Sequence, residues 1–218
     1  MIVTIDGPAG SGKSTAAHAL ALRLGFDFLD TGAMYRAVAL AFMRQRIDFG
    51  DLPTIEEILT DLRVEAPGSR ILLNSEDVSH LIRTPVVSQA ASQVAVIPAV
   101  RWYLAEQQRA TATGRDMVCE GRDQGTFVFP NAECKFFLTA DPHVRAERRH
   151  RELTAKGQVI PLEDILKAQH ERDARDASRD LAPMKPAPDA TVLDTTFLTN
   201  DEVLERLEEV ARACRDRV

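Results

Sequence analysis

Short apolar runs alternate with longer amphipathic segments along this chain, which is the pattern of an α/β fold. Five runs have the length and the residue content of buried strands, at residues 2–5, 26–30, 117–120, 134–138 and 190–193. Segments with helical periodicity separate most of these runs. The alternation predicts a five-stranded parallel sheet that is flanked by helices on both faces.

Residues typical of helix starts and helical apolar stripes occur in most of the remaining chain. Thr31 has a side chain suited to the N-cap of a helix that runs to about residue 46, and Pro85 and Pro98 mark the first turns of two others. The last helix carries an apolar stripe that we expect to pack on the sheet. The predicted helices span residues 16–24, 31–46, 55–62, 98–111, 142–155, 161–180 and 199–215, with one more that starts at residue 85.

Two segments interrupt the regular alternation. Residues 48–98 contain two strands, 63–65 and 70–73, that flank a Pro-Gly-Ser turn and predict a hairpin within an inserted subdomain. Two highly charged helices follow the fourth strand and are joined at Lys156 and Gly157. Their charge and the joining glycine suit a mobile arm.

The strongest motif lies between the first strand and the first helix, where residues 6–15 contain the pattern G-x-x-x-x-G-K-[ST]. Its glycines let successive backbone N–H groups point at a polyphosphate, and the helix N-terminus adds a positive dipole end. We expect Lys13 at the β- and γ-phosphates as a catalytic residue, and the Ser14 hydroxyl on Mg²⁺. A glycine-rich turn without function is the alternative, and the complete motif argues against it. The predicted nucleotide-binding residues are Gly7, Pro8, Ala9, Gly10, Ser11, Gly12, Lys13, Ser14 and Thr15.

Arginines follow two of the other predicted strands. Ligands bind at the carboxyl ends of parallel strands, and Arg36 and Arg122 come shortly after such ends. A guanidinium group can bind phosphate oxygens bidentately, so both residues are candidates for holding a second phosphate, and we also assign Arg122 to catalysis. Ordinary surface arginines on exposed turns are the alternative.

Arginines also recur at helical spacing on the two arm helices, so each set is predicted to share a helix face. A lid that closes with them would neutralise the charge on a transferring phosphoryl group and exclude water, and we assign Arg172 and Arg175 to catalysis. The interleaved Asp173 and Asp176 leave open a solvated helix with local ion pairs. The two sets are Arg145, Arg148 and Arg149, and Arg172, Arg175 and Arg179.

The sequence leaves the metal site partly undefined. Ser14 is the assigned metal ligand, whereas Asp6, Glu120 and Asp123 are all possible direct or water-mediated partners. The five histidines are scattered without paired ligand spacing, so none is assigned a role.

Length, net charge and cysteine content bear on the number of domains, the partners and the cellular location of the protein. The chain has 218 residues and a formal net charge of −6, which suits one domain and does not favour nucleic acid or an anionic membrane surface as a partner. Its three cysteines lack C-x-x-C spacing, which argues against a disulfide framework and a zinc site. Met1 leads directly into the first strand, so we expect no signal peptide and predict a cytoplasmic monomer.

With these segments assembled, the chain resembles the bacterial cytidylate kinases, which are nucleoside monophosphate kinases, over nearly its whole length. The phosphate loop alone indicates only a kinase or another NTPase, and the middle segments are the more specific ones. The matching segments are IDGPAGSGKS at 5–14, DTGAMYR at 30–36, ASQVA at 91–95 together with Arg101, EGRD at 120–123 and ERDARD at 171–176.

The resemblance implies a single P-loop kinase domain that transfers the γ-phosphoryl group of ATP, with Mg²⁺, to CMP and dCMP. It implies a core of residues 1–53, 96–141 and 183–218, an insertion for the nucleoside monophosphate at about 54–95 and a helical lid at about 142–182. It also implies substrate-binding residues. Thr31, Arg36 and Arg122 would hold the acceptor phosphate; Ser92, Arg101 and Asp123 would surround the cytosine; and Asp176 would bind the pentose, with Arg172 and Arg179 nearby.

Two other functions remain open at this point. The first is a kinase for another small acceptor, such as a different nucleotide or a hydroxylated metabolite. The second is a nucleotide-dependent switch that binds a partner protein, although the chain has neither the N-K-x-D nor the D-x-x-G pattern of guanine-nucleotide switches.

Overall fold

Five parallel strands form the central sheet in the computed structural model, which describes residues 1–155 and 157–216. The strands of the chain are β1 Ile2–Asp6, β2 Asp27–Asp30, β3 Val64–Glu65, β4 Leu72–Leu73, β5 Glu76–Asp77, β6 Met117–Glu120, β7 Cys134–Thr139 and β8 Thr191–Asp194. The α-helices are α1 Lys13–Leu24, α2 Thr31–Arg44, α3 Leu52–Asp61, α4 Pro85–Val94, α5 Pro98–Ala112, α6 Pro142–Ala155, α7 Leu162–Ala177 and α8 Asn200–Arg215. The central order is β2-β6-β1-β7-β8 and every pairing is parallel, which confirms the predicted sheet.

Both faces of this sheet are covered because successive strand residues point to opposite sides. In β6, Val118 packs into a core with α1 and α8, whereas Met117 and Cys119 pack into a second core with α2, α4 and α5. The apolar runs in the sequence are therefore continuous rather than alternating, as expected for strands that are buried on both faces.

The central position of β1 places its carboxyl end beside those of its neighbours. Ile5 is in register with Glu120 of β6, and Glu120 is in register with Asp30 of β2. The loops that follow β1, β2 and β6 therefore leave the sheet at one edge, which is where ligands bind in folds of this kind.

The region predicted as an insertion contains a small antiparallel sheet. The predicted hairpin is confirmed as β3 and β4, and a two-residue third strand, β5, extends it. Sequence patterning missed β5 because its two residues are both exposed and acidic. Val64 and Leu73 are buried in the same core as α2. The insertion thus packs directly on the main fold.

The two charged arm helices form a pair with a small core of its own, made by Ala146, Leu153 and Ile165. Helix α7 ends at Ala177, three residues earlier than predicted. Lys156, predicted as part of the joint between the helices, and the last two residues lie outside the described part of the chain. Among the described helices, none has the length and apolar character needed to cross a bilayer.

Packing of α8 against α1 generates a stability prediction. Leu207 of α8 is fully buried, so Leu207→Ala should lower the free energy of unfolding by about 2–4 kcal/mol through lost burial and a residual cavity. Leu22→Ala on α1 is the matched control, because Leu22 is 72% exposed and its truncation should cost less than about 0.5 kcal/mol. Urea denaturation measures both, and equal losses would contradict the placement of α8.

Candidate phosphoryl-transfer site

The loop between β1 and α1 has the backbone of a phosphate-binding loop. Gly7, Gly10 and Gly12 have φ angles of 142°, 76° and 84°, in a region that side chains rarely occupy. A Cβ atom on Gly7 would come within 2.0 Å of the Leu138 carbonyl oxygen, so the loop also needs glycine there for space. Helix α1 begins at Lys13 without a side-chain N-cap, which leaves its first N–H groups available to an anion.

Lys13 is buried at the base of this loop. Its Nζ donates to the carbonyl oxygen of Pro8 at 3.1 Å and lies 3.5 Å from Oε1 of Glu120. Burial, assisted by the positive charge of Arg122, lowers the pKa of Lys13 to about 7. A polyphosphate bound in the loop would stabilise the charged form of this amine.

Asp6 links the phosphate loop to the turn after β6. Its Oδ1 accepts the backbone N–H of Gln124 at 2.8 Å, and its Oδ2 accepts that of Gly125 at 2.8 Å. Burial outweighs these hydrogen bonds and raises the pKa of Asp6 to about 7. The sequence left Asp6 as a possible metal partner, but both of its oxygens accept these backbone hydrogen bonds. Asp6 therefore acts as a positioning residue that holds the turn after β6 against the end of β1.

The same turn brings Asp123 against Arg101 of α5. The two side chains form a buried ion pair, and Arg101 also donates to the carbonyl oxygen of Ala95 at 3.0 Å. Burial raises the pKa of Asp123, while Arg101 opposes the shift. The structure thus brings together two residues that were predicted to surround one base. The carboxylate is engaged with Arg101, which makes Asp123 a poor candidate for a metal ligand.

The start of α2 differs from the prediction in its cap. Asp30, rather than Thr31, is the N-cap, because its carboxylate accepts the N–H of Ala33 at 2.8 Å. Thr31 is already helical, and its hydroxyl donates to the carbonyl oxygen of Glu120 at 2.7 Å. Arg36, one turn further along, pairs with Asp30 at 3.1 Å. The end of β2 is thereby tied to the end of β6 with Arg36 beside it.

Asp176 of α7 is the centre of a group of arginines. Its buried carboxylate lies 3.3 Å from Nε of Arg122, 2.7 Å from Nη2 of Arg179 and 3.9 Å from Nε of Arg172. Arg179 follows the end of α7, so it approaches Asp176 from the chain beyond the helix and not from a continuous helix face. Loss of hydration, with the nearby charge of Arg122, lowers the pKa of Arg172 to about 10.

Nε of Arg36 and Nε of Arg172 are among the buried guanidinium nitrogens of this region that have no hydrogen-bond partner among the described residues. The distance of 3.9 Å between Arg172 and Asp176 is too long for a hydrogen bond. Arg36 and Arg122 both act electrostatically on Arg172, and Arg122 and Arg172 both act on Lys13. These four cations therefore form one positive cluster whose free donors fit the oxygens of a phosphate group.

The arginines of α6 hold the fold together around the phosphate loop. Arg145 donates to the carbonyl oxygen of Ala9 at 3.0 Å and pairs with Asp173 of α7. Arg148 donates to the carbonyl oxygen of Thr195 at 2.6 Å. Arg149 is partly exposed and pairs with Glu152. The three arginines lie on one helix at the predicted spacing, but each contacts a different partner.

Arg175 contacts the other side of the cleft. Its Nη1 donates to Oγ of Ser92 on α4 at 2.8 Å, which joins the lid helix to the inserted region. Ser92 is buried, and it precedes Ala95, the partner of Arg101, by about one helical turn. The assignment of Arg175 to the transferring phosphoryl group stays a prediction.

A further pocket of about 180 Å³ opens beside the phosphate loop. It lies between the start of α1 and the segment that follows β8, and Ser11, Thr15, Arg148, Thr195 and Leu198 are among its lining residues. Thr195 accepts from Arg148, and its hydroxyl donates to the carbonyl oxygen of Ser11 at 3.0 Å. Sequence reasoning missed Thr195, although it follows a strand end and the strand-end rule could have found it.

The predicted Mg²⁺ site contains two oxygen-bearing side chains, which is fewer ligands than the ion requires. Ser14 lies in the first turn of α1 with its side chain exposed, and the buried carboxylate of Glu120 lies beside the preceding Lys13. Within the described residues, no three His, Cys, Asp or Glu side chains form a metal-binding group. The donor set suits a cation that takes most of its ligands from phosphates and water, as Mg²⁺ does.

Comparison with solved structures addresses the fold alone. A gluconokinase from Sinorhizobium meliloti 1021 superposes with a TM-score of 0.50 at 17% sequence identity, covering 99% of this chain and 94% of that chain. Such a likeness at low identity is consistent with the sheet topology and says nothing about the acceptor.

Comparison with sequences is more specific. The family model described as Cytidylate kinase matches residues 3–213. A protein named Cytidylate kinase from Rhodopirellula baltica is 47% identical over 214 residues, covering 98% of this chain and 93% of that protein. One of the same name from Carboxydothermus hydrogenoformans is 46% identical and covers 96% of each. A match of this extent means that the chain belongs to the cytidylate kinase family.

Proposed function

We propose that this chain transfers the γ-phosphoryl group of ATP to CMP, and also to dCMP, giving ADP and CDP or dCDP. The observation that carries the proposal is the buried, unpartnered Nε atoms of Arg36 and Arg172 beside Arg122. Unsatisfied buried donors on charged groups cost several kcal/mol in total, and a bound phosphate would recover that cost. Lys13 belongs to the same positive cluster, which supports two phosphates that meet in one cleft.

The donor nucleotide would occupy the phosphate loop, residues 7–15. Backbone N–H groups of the loop and the start of α1 would hold its phosphates, and Lys13 would neutralise the moving group. The pocket of about 180 Å³ beside Ser11 and Thr195 has a position and size that suit part of the donor base. Mg²⁺, held by Ser14 with Glu120 as the neighbouring carboxylate, would supply charge neutralisation at the phosphates.

The acceptor would bind between the inserted region and the lid. Arg36 and Arg122 would hold its phosphate, and Asp176 with Arg179 would face its pentose. Thr31 has its hydroxyl on the Glu120 carbonyl, so we expect it to act mainly by fixing the start of α2. The placing of the acceptor between these two segments supports an insertion at about 54–95 and a lid at about 142–182 as the two moving parts of one domain.

The base would be read by Arg101, Asp123 and Ser92. Cytosine presents an amino donor next to an unprotonated ring nitrogen, so a carboxylate and a guanidinium group can satisfy both. Uracil reverses these two positions and would leave buried polar groups of the site unpaired. The buried Arg101–Asp123 pair has the required donor and acceptor side by side.

The reaction needs no general base from the protein. The attacking phosphate is already anionic at neutral pH, so the side chains act by alignment and charge stabilisation. Arg172, brought by the lid, would share the charge of the transferring group with Lys13. We further propose that the protein acts in the cytoplasm, where its nucleotide substrates are present, and as a monomer.

An acceptor screen tests the proposed function. ADP release with ATP and Mg²⁺ should depend on acceptor and be fastest with CMP and dCMP, because cytosine matches the donor and acceptor of the Arg101–Asp123 pair and uracil does not. UMP, AMP and a hydroxylated carboxylic acid are the comparison acceptors. Fastest turnover with the hydroxylated acid would favour a metabolite kinase. Slow hydrolysis that ignores every acceptor would favour a nucleotide switch.

Replacement of Arg122 tests the acceptor phosphate site. Arg122→Ala should lower kcat/KM for CMP by at least ~100-fold, because a charged donor aligned with the phosphates is worth several kcal/mol. Arg149→Ala is the matched control, since the Arg149 side chain is 43% exposed and pairs only with Glu152 among the described residues. Steady-state kinetics measure both variants. Normal turnover in Arg122→Ala would remove this residue from the site.

A further inference from the structure

The hydrogen bond between Arg175 and Ser92 joins the lid to the region where the base would be read. Nη1 of Arg175 lies 2.8 Å from Oγ of Ser92. Arg101, on the next helix, donates to the carbonyl oxygen of Ala95 on the same stretch of chain as Ser92, and it pairs with Asp123. The contact therefore lies at the edge of the proposed base site, whereas the positive cluster around Lys13 is built by other arginines.

The chemistry of the two groups fixes the direction of this bond. A guanidinium group has donors and no acceptor, so Ser92 must accept. Among the described residues the Ser92 hydroxyl donates to no protein acceptor, so its own proton is directed away from Arg175. An unrestrained hydroxyl can rotate to donate or to accept. One held by Arg175 cannot direct its proton at the guanidinium group, and its oxygen is held in one place.

We propose that Arg175 is a positioning residue for base selection, which fixes the Ser92 hydroxyl against the acceptor base when the lid is closed. This inference rests on the proposed function, because it needs a base in the cleft. Cytosine and uracil differ by an exchange of donor and acceptor on adjacent ring positions, so discrimination between them depends on where the polar groups of the site, the Ser92 oxygen among them, are held. Arg175 therefore acts on specificity through Ser92 rather than on the transferring phosphoryl group.

Kinetics with two acceptors test this role. Arg175→Ala should lower the ratio of kcat/KM for CMP to kcat/KM for UMP by about tenfold, the effect expected for one hydrogen bond to a charged donor. Ser92→Ala should lower the ratio similarly, and the double variant should be no worse than either single variant. Arg175→Lys retains a donor and should restore part of the ratio. Lys167→Ala, an exposed change on the same helix, is the control.

The outcomes separate the competing roles. If Arg175 contacts the moving phosphoryl group, or only supports the lid, Arg175→Ala will slow CMP and UMP by the same factor and leave their ratio unchanged, which overturns the inference. Additive effects of the two single variants would also overturn it. Failure of the unmodified protein to prefer CMP over the other acceptors would instead refute the proposed function, so the two failures are distinguishable.

Discussion

The carboxylate of Asp6 is the constraint on which the site depends. It belongs to the last residue of the central strand, and it accepts the N–H groups of Gln124 and Gly125 in the turn that carries Arg122 and Asp123. The phosphate loop and the turn that carries Arg122 are thereby fixed to each other through one buried group. Both of its oxygens accept hydrogen bonds, which offset part of the cost of burying the group.

The cleft is locally positive and favours the binding of an anion, although the chain as a whole carries a formal charge of −6. Arg36, Arg122, Arg172 and Lys13 lie within electrostatic range of one another, and Asp176 compensates only part of their charge. Arg172 and Asp176 belong to the lid helix. In the proposed function, closure of this helix would complete the phosphate site and the pentose side together, and the Arg175–Ser92 bond would extend the same closure to the base.

The sequence predicted the features that depend on local rules. Strand lengths, the glycines of the phosphate loop and the arginines after strands follow from backbone geometry and strand-end position, and the sheet is confirmed. The hydrogen bonds that Asp6 accepts from Gln124 and Gly125 could not be predicted, since they join residues more than a hundred positions apart in the chain. Asp30 replaced Thr31 as the cap because capping depends on the backbone angle at one residue. Arg179 lies beyond a helix end that patterning could not define.

The central claim is that donor and acceptor phosphates meet in one cleft. A molecule in which adenosine and cytidine are joined through a chain of phosphates tests it by isothermal titration. The account predicts one molecule bound per chain, displacement by ATP and by CMP, and affinity at least ~100-fold above that of CMP, because the second half binds as a linked group. Displacement by ATP but not by CMP would contradict the account.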